Sequence, residues 1–298
     1  MLNGKVVAVT GAGGGIGREI ALLCAAQGAA VVVNDYGASG DGEDSPAVRV
    51  AREIEENGGK AIANGASVTD PAGATSIIED AVARFGRIDA VVNNAGILRD
   101  RIFHKMSEHD WRAVIDTHLH GAFLVSKAAT PYFKEQGYGS FIHFTSTSGL
   151  IGNFGQANYS AAKMGIVGLS NSIALDMQRF NVRSNCIAPF AWTQMTASIP
   201  VETEADRLRV ERLKTMTADK IAPLVVFLAA DESQDVTGQI FAVRKNEIFL
   251  FSQPRPIRTM HRSDGWTPEA ISSDLLPAFQ SSFVPLQRSG DVFVWDPI

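Results

Sequence analysis

Apolar residues fall along most of the chain in short runs that alternate with stretches of helical periodicity. Residues 5–10 form a valine-rich run, followed by glycines and a helical stretch over 16–27. The pairing repeats as strand 30–35 with helix 46–57, then strand 60–64 with helix 71–85, which carries proline in its first turn. Strand 90–93 ends in a glycine-containing loop. A helical region over about 110–136, a strand at 141–145, a helix over about 157–180 and a strand at 182–187 continue the rhythm. Short, Val- and Ile-rich strands joined through helices are those of a parallel sheet buried on both faces. The expected fold is α/β: a Rossmann-type doubly wound parallel sheet in a single domain over 1–251.

Two regions break this rhythm. Residues 190–215 are mixed and charged, and mobile loops over strand ends often gate a site, so they are expected to contribute a substrate lid. Met195, Ile199 and Leu208 are its candidate pocket residues, or else pack the lid to the body. Beyond residue 251 lies a Pro-rich C-terminal extension, 252–298, with half of the chain's 12 prolines (Pro254, Pro256, Pro268, Pro277, Pro285 and Pro297). That density excludes regular sheet and long helix. Trp266, Phe279, Phe283, Phe293 and Trp295 predict that the extension packs on the domain or on a neighbouring subunit.

Composition narrows the function classes. With 45% hydrophobic and 20% charged residues, the chain has material for a core and is not disordered. A net charge of -5 argues against nucleic acid as a partner. Cys24 and Cys186 lack CxxC spacing, and the histidines lack HExxH spacing, so no metal is expected. The best apolar run, 221–230, is short and contains Pro223, which predicts no membrane partner. A strand starting almost at the first residue and a C-terminus unlike a peroxisomal signal lead to the expectation of a cytoplasmic protein.

The glycines that follow the first strand carry the first chemical signal. Gly11, Gly15 and Gly17 form a G-x3-G-x-G turn between strand and helix, with Ile16 where the GxGxxG fingerprint wants glycine. Such a turn lets backbone amides approach a pyrophosphate. Asp35, at the end of the second strand, can accept hydrogen bonds from ribose hydroxyls and would repel a 2′-phosphate. Arg18 is the only cation near the turn, and none follows Asp35 before Arg49, so NAD is favoured over NADP. The second signal is Tyr159 and Lys163, four apart on one helix face. An ammonium near a phenol lowers its pKa from about 10 toward a usable acid or base. Ser146 follows the 141–145 strand, whose end lies at the ligand crevice of such a sheet, where its hydroxyl can hold a reacting oxygen.

Residues 10–17, Asn93-Asn94-Ala95-Gly96, Ser146 with Tyr159 and Lys163, and Asn185 through Pro189 to Thr193 together resemble the short-chain dehydrogenase/reductase family over about residues 3–243. Stretches 31–35, 93–101 and 152–163 are similar to its members that oxidise (3R)-hydroxyacyl-CoA thioesters. The resemblance implies Tyr159 as general acid/base, Lys163 as holder of the ribose and depressor of the phenol pKa, and Ser146 as orienter of the substrate oxygen. It places Ser67 and Val68 near adenine, Asn94, Ala95 and Gly96 along the cofactor, and Pro189 and Thr193 near the nicotinamide. It also implies a homodimer or homotetramer.

Three departures stand out. His118 occupies the position of an Asn that assists proton relay, and both a shuttling and a packing role stay open. Phe190 replaces the glycine usual after Pro189, which predicts a differently shaped loop. The chain carries no hydratase or sterol-carrier segment, so a free-standing dehydrogenase is expected. Arg255, Arg258, His261 and Arg262 either receive the phosphates of coenzyme A or form a solvated or subunit-contact loop. The expectation is an NAD-dependent oxidoreductase interconverting a secondary alcohol and a ketone, with a 3-hydroxyacyl-CoA bearing a bulky or steroid-derived chain as the small-molecule partner. The alternatives are a 3-oxoacyl carrier-protein reductase, a free hydroxysteroid or sugar alcohol dehydrogenase, and a noncatalytic NAD-binding regulator.

Overall fold

In the computed structural model the described residues are 1–37, 44–192 and 204–298. The first strands are β1 (Val6–Thr10), β2 (Ala30–Asn34), β3 (Lys60–Asn64) and β4 (Ala90–Asn93). They are followed by β5 (Gly139–Phe144), β6 (Val182–Phe190), β7 (Ile240–Arg244) and β8 (Glu247–Leu250). They form one sheet of order β3-β2-β1-β4-β5-β6-β7-β8. All neighbours are parallel except β7 and β8, which form an antiparallel hairpin at one edge. The doubly wound parallel sheet expected from the pattern is thus present, with an antiparallel edge strand in addition.

The valine runs have a physical reason. Side chains alternate across a strand, and here both faces are covered. Val7, Val9, Val31, Val33 and Val92 enter one core. That core also holds residues of α1 (Gly15–Ala26), α2 (Pro46–Glu56) and a later apolar helix, Ala222–Ala229. Ala8, Val32, Val91 and Phe141 enter the other core, with residues of α3 (Pro71–Phe85) and of the helix Gly121–Gln136. Helix starts follow their caps: Ser45 Oγ accepts from the Val48 amide and Asp70 from the Gly73 amide, each with proline in the first turn.

The long helical region 110–136 is one rod with an irregularity. Helix α4 (Glu108–Ile115) passes through a π-helical turn, Asp116–His120, into α5 (Gly121–Gln136). Such turns often mark functional sites, and this one carries His118. After β5 comes the short turn α6 (Thr147–Leu150), then α7 (Ala157–Met177); α8 (Glu204–Lys214) precedes the apolar helix α9 (Ala222–Ala229). Because strand order reverses between β1 and β4, a crevice opens at their carboxyl ends, where open α/β sheets bind ligands.

Candidate active site

The turn between β1 and α1 forms one wall of the crevice. Gly11 and Gly15 take φ of +64° and +52°, which favour glycine. A Cβ on Gly11 would lie 2.8 Å from the Ala95 Cα, and one on Gly17 only 2.1 Å from the Gly11 carbonyl oxygen. Turn, helix start and the loop after β4 are therefore in backbone contact. The Asn94 side-chain amide donates to the carbonyls of Thr10 and Gly11, each at 3.0 Å, while Thr10 Oγ1 accepts from the Asn94 and Ala95 amides, each at 3.1 Å. Asn94 and Ala95 thus brace the turn. Thr10, a strand-end threonine whose hydroxyl ties the turn to β4, and Gly13, which abuts Asp35 and Pro46, are site residues that motif spacing does not single out.

Asp35 follows β2 and accepts from the amides of Gly13 and Gly37, both at 2.9 Å. The N-cap of α1 is Gly14, so no side chain caps its first-turn amides. The glycine cradle, the uncapped helix start and the fixed carboxylate together fit a dinucleotide. Arg18 is tied to Glu53 and Glu19. At the end of β3, Asn34 Nδ2 donates to the carbonyls of Asn64 and Ala66, drawing the next loop toward β2. Val68 is buried there, while Ser67 pairs its hydroxyl with Thr69 at the surface.

Across the crevice, β5 and α7 are pinned together. Thr145 Oγ1 donates to the Lys163 carbonyl at 2.7 Å, and Lys163 Nζ donates to the Phe144 carbonyl at 2.6 Å. Ser146 caps α6, its Oγ accepting from the Ser148 amide at 3.1 Å. The Tyr159 phenol lies near the Ser146 hydroxyl. Burial pushes that phenol up to about 12; the Ser146 hydroxyl draws it down and the Asp100 carboxylate pushes it up. Burial also pushes Lys163 down to about 7. Its Nζ lies 5.6 Å from the Tyr159 ring centroid. The expected lowering of the phenol by Lys163 is thus not what the protein alone displays: desolvation dominates at both groups, and each favours its neutral form.

His118 is buried on the π-helical turn, edge-on to Tyr159 with ring centroids 5.2 Å apart. Its Nε2 lies 2.8 Å from the carbonyl oxygen and 3.1 Å from the amide of Ile97, so it anchors the loop after Gly96 in either tautomer. A Cβ on Gly96 would strike the His118 ring at 2.1 Å, so glycine is required beside this histidine. Burial, then the Lys163 charge, hold His118 down at about 3.

Pro189 and Phe190 end β6 opposite Val243 and Arg244. Phe190 meets Phe293 of the extension edge-on at 4.9 Å. Thr193, Met195 and Ile199 lie outside the described residues, as does the side chain of Leu208. Arg255, Arg258, His261 and Arg262 are exposed. Arg262 pairs with Asp274 at 2.9 Å, and Arg258 donates to Ser281 and Ser282, so two of these cations hold the extension's own fold. Among the described residues, no group of three or more His, Cys, Asp or Glu could hold a metal ion, and no helix is long and apolar enough to cross a membrane.

Comparison with known proteins decides what this geometry belongs to. The short chain dehydrogenase family profile matches residues 5–204. The chain belongs to the short-chain dehydrogenase/reductase family. It is 43% identical over 274 residues to mouse (Mus musculus) peroxisomal multifunctional enzyme type 2, covering 90% of this chain but 36% of that protein. It is 37% identical to the hydroxyacyl-CoA dehydrogenase ChsB1 of Mycobacterium tuberculosis, covering 93% of this chain and 89% of that protein. A crystal structure of a short chain dehydrogenase from Mycobacterium avium superposes with a TM-score of 0.85 at 37% identity, over 96% of this chain and 98% of that one. The protein is accordingly an oxidoreductase that acts on a hydroxyl group of a small molecule, and the family uses a nicotinamide cofactor.

Proposed function

We propose that this short-chain dehydrogenase is NAD-dependent and interconverts a 3-hydroxyacyl-CoA thioester and its ketone. The observation that carries the reading is the cluster of half-buried Ser146 and Tyr159 with buried Lys163 at the strand end that faces the glycine turn. When bound, the nicotinamide supplies the hydride acceptor or donor. The first-turn amides of α1 hold the pyrophosphate and Asp35 the adenosine ribose. The Ser146 hydroxyl fixes the substrate oxygen, and the Tyr159 Oη takes its proton during oxidation. A charged Lys163 favours the phenolate that this step needs. NAD is supported by Asp35, whose carboxylate would repel a 2′-phosphate, and by Arg18, which two glutamates already neutralise.

The thioester is supported by the hydroxyacyl-CoA dehydrogenase among the relatives, which aligns over nearly its whole length. Self-association is part of the same reading: α5 and α7 leave Phe123, Met164 and Leu175 exposed, the kind of apolar surface that a second copy covers. The test is steady-state nicotinamide reduction with matched (3R)- and (3S)-hydroxyacyl-CoA and with NAD or NADP. Oxidation of one epimer with a clear preference for NAD is expected. Turnover of free secondary alcohols without any thioester turnover would discard the coenzyme A assignment.

A further inference from the structure

Two side chains hold the loop that runs from β4 to α4, and Tyr159 adjoins both. One is His118, edge-on to the Tyr159 ring and bonded to Ile97 through Nε2. The other is Asn158, which directly precedes Tyr159 and is fully buried. Its Nδ2 donates to the Arg99 carbonyl at 3.0 Å and to the Asp110 carbonyl at 3.1 Å. Its Oδ1 accepts from the Tyr159 amide at 2.8 Å. Both protons and the oxygen of this one amide are therefore in use. They join three segments: the loop, α4 and the first turn of α7.

The start of α7 depends on this residue. Its N-cap is Gln156, whose side chain makes no capping bond, so the first-turn amides need another acceptor. Asn158 supplies one to the amide of Tyr159 itself. Two further ties reach the loop: the Arg101 amide donates to the Gly155 carbonyl at 2.8 Å, and Gln156 Nε2 donates to the Asp100 carboxylate at 2.9 Å. Asp100 and Arg101 are exposed, so water competes for these ties, whereas Asn158 is sealed from it. The end of the loop beside the glycine turn is held separately, by Thr10 Oγ1 accepting from the Asn94 and Ala95 amides. Loss of the Asn158 amide thus loosens the part of the loop beside Tyr159 and spares the part beside the turn. Alanine and serine are too short to reach the two carbonyls, and an aspartate has no proton to donate to them.

We propose that Asn158 is a positioning residue for the reaction: by fastening residues 99–101 and α4 to the first turn of α7, it holds the Tyr159 hydroxyl in its reacting place beside Ser146. The inference rests on Tyr159 as the acid/base of the reading above, and not on which alcohol or nicotinamide the enzyme takes. The ionisation of Tyr159 reports its surroundings without cofactor or substrate. Burial and the Asp100 carboxylate both push the phenol up. Release of the loop relieves both, while Lys163 stays bonded to Phe144 and His118 stays on its π-helical turn.

Ionisation is followed on the cofactor-free full chain through a carbon-13 label at tyrosine Cζ, with Tyr159→Phe assigning the signal. The wild-type phenol should stay protonated at about pH 10.5, whereas Asn158→Ala and Asn158→Ser should lower its midpoint by about one pH unit or more, toward the ordinary value of about 10. Calorimetric NAD affinity should change less than about 2-fold, while kcat for (3R)-3-hydroxydodecanoyl-CoA falls about 10-fold or more with little change in KM. An unmoved midpoint in a folded variant, or an NAD affinity that falls as far as kcat, would overturn the assignment. If neither variant folds, hydrogen exchange of the wild type decides: the Tyr159 amide should be protected about 10-fold or more relative to an unfolded peptide, and an unprotected amide would overturn it. If the midpoint moves but the wild type does not oxidise the thioester, the positioning role stands and the thioester reading alone fails.

Discussion

At Lys163, burial and chemistry pull in opposite directions. The ammonium that should favour a Tyr159 phenolate is itself pushed down to about 7, while the phenol is pushed up to about 12. Proton removal from an alcohol by such a phenol becomes easier as pH rises, so oxidation should accelerate with pH above neutrality. A flat rate profile from pH 7 to 9 would contradict this. The two buried histidines carry a stability prediction. His118 and His143 are held at about 3, chiefly by burial, against an ordinary value of 6.5. Below pH 6.5 the unfolded chain binds protons that the folded one refuses. Their contribution is therefore complete above pH 6.5 and is lost as pH falls toward 3. His143→Asn should flatten the decline in melting temperature between pH 6.5 and 5; an unchanged slope would show that burial of this histidine does not govern it. At this scale the juxtaposition of Tyr159 and Lys163 is legible in the sequence, since it needs only helical spacing. The pairing of His118 with Gly96 is not, because a ring contact joins a helical turn to a loop far from it in the chain.

The glycine turn separates positions that a motif treats alike. A methyl on Gly17 would press on the Gly11 carbonyl at 2.1 Å, whereas one on Gly14 would meet nothing within 4 Å. Gly14 is also in extended backbone, with φ of -173°. Gly17→Ala should cost about 1–3 kcal/mol in denaturant unfolding and weaken NAD binding, as overpacking does. Gly14→Ala should change stability by less than about 0.5 kcal/mol, the usual range for an unconstrained surface position. Equal effects at the two positions would refute the packing account. Strands β1, β2 and β4 are readable because burial on both faces writes near-continuous apolar runs. The β7–β8 hairpin carries no such signature: its turn places Lys245 at a φ of +57°, without the glycine or Asn-Gly that usually announces one, and Ile248 and Leu250 face solvent. The π-helical turn at Asp116–His120 likewise left no mark in the periodicity.

Across the whole molecule, the chain divides its labour between a sheet that builds the crevice and an extension that returns to it. Proline density and scattered aromatic residues set residues 252–298 apart in the sequence. Which of them dock depended on long-range contacts: Phe293 and Trp295 join the aromatic cluster at the sheet edge, whereas Phe283 stays exposed. Phe293→Ala should free residues 288–298 from the sheet edge without unfolding the sheet. Limited proteolysis should then cut near the C-terminus while the melting temperature falls by only a few degrees; a global loss of folding would contradict that division.

The central claim is that Ser146, Tyr159 and Lys163 handle the proton of a 3-hydroxyacyl-CoA while NAD takes the hydride. Its most direct test is the rate of nicotinamide reduction by wild type and Tyr159→Phe with (3R)-3-hydroxydodecanoyl-CoA at saturating NAD. The account predicts turnover by the wild type and a loss of about 10²–10⁴-fold in the variant, the usual weight of general acid–base catalysis, with folding and NAD affinity preserved. A Tyr159→Phe protein that folds, binds NAD and oxidises the thioester at the wild-type rate would contradict it.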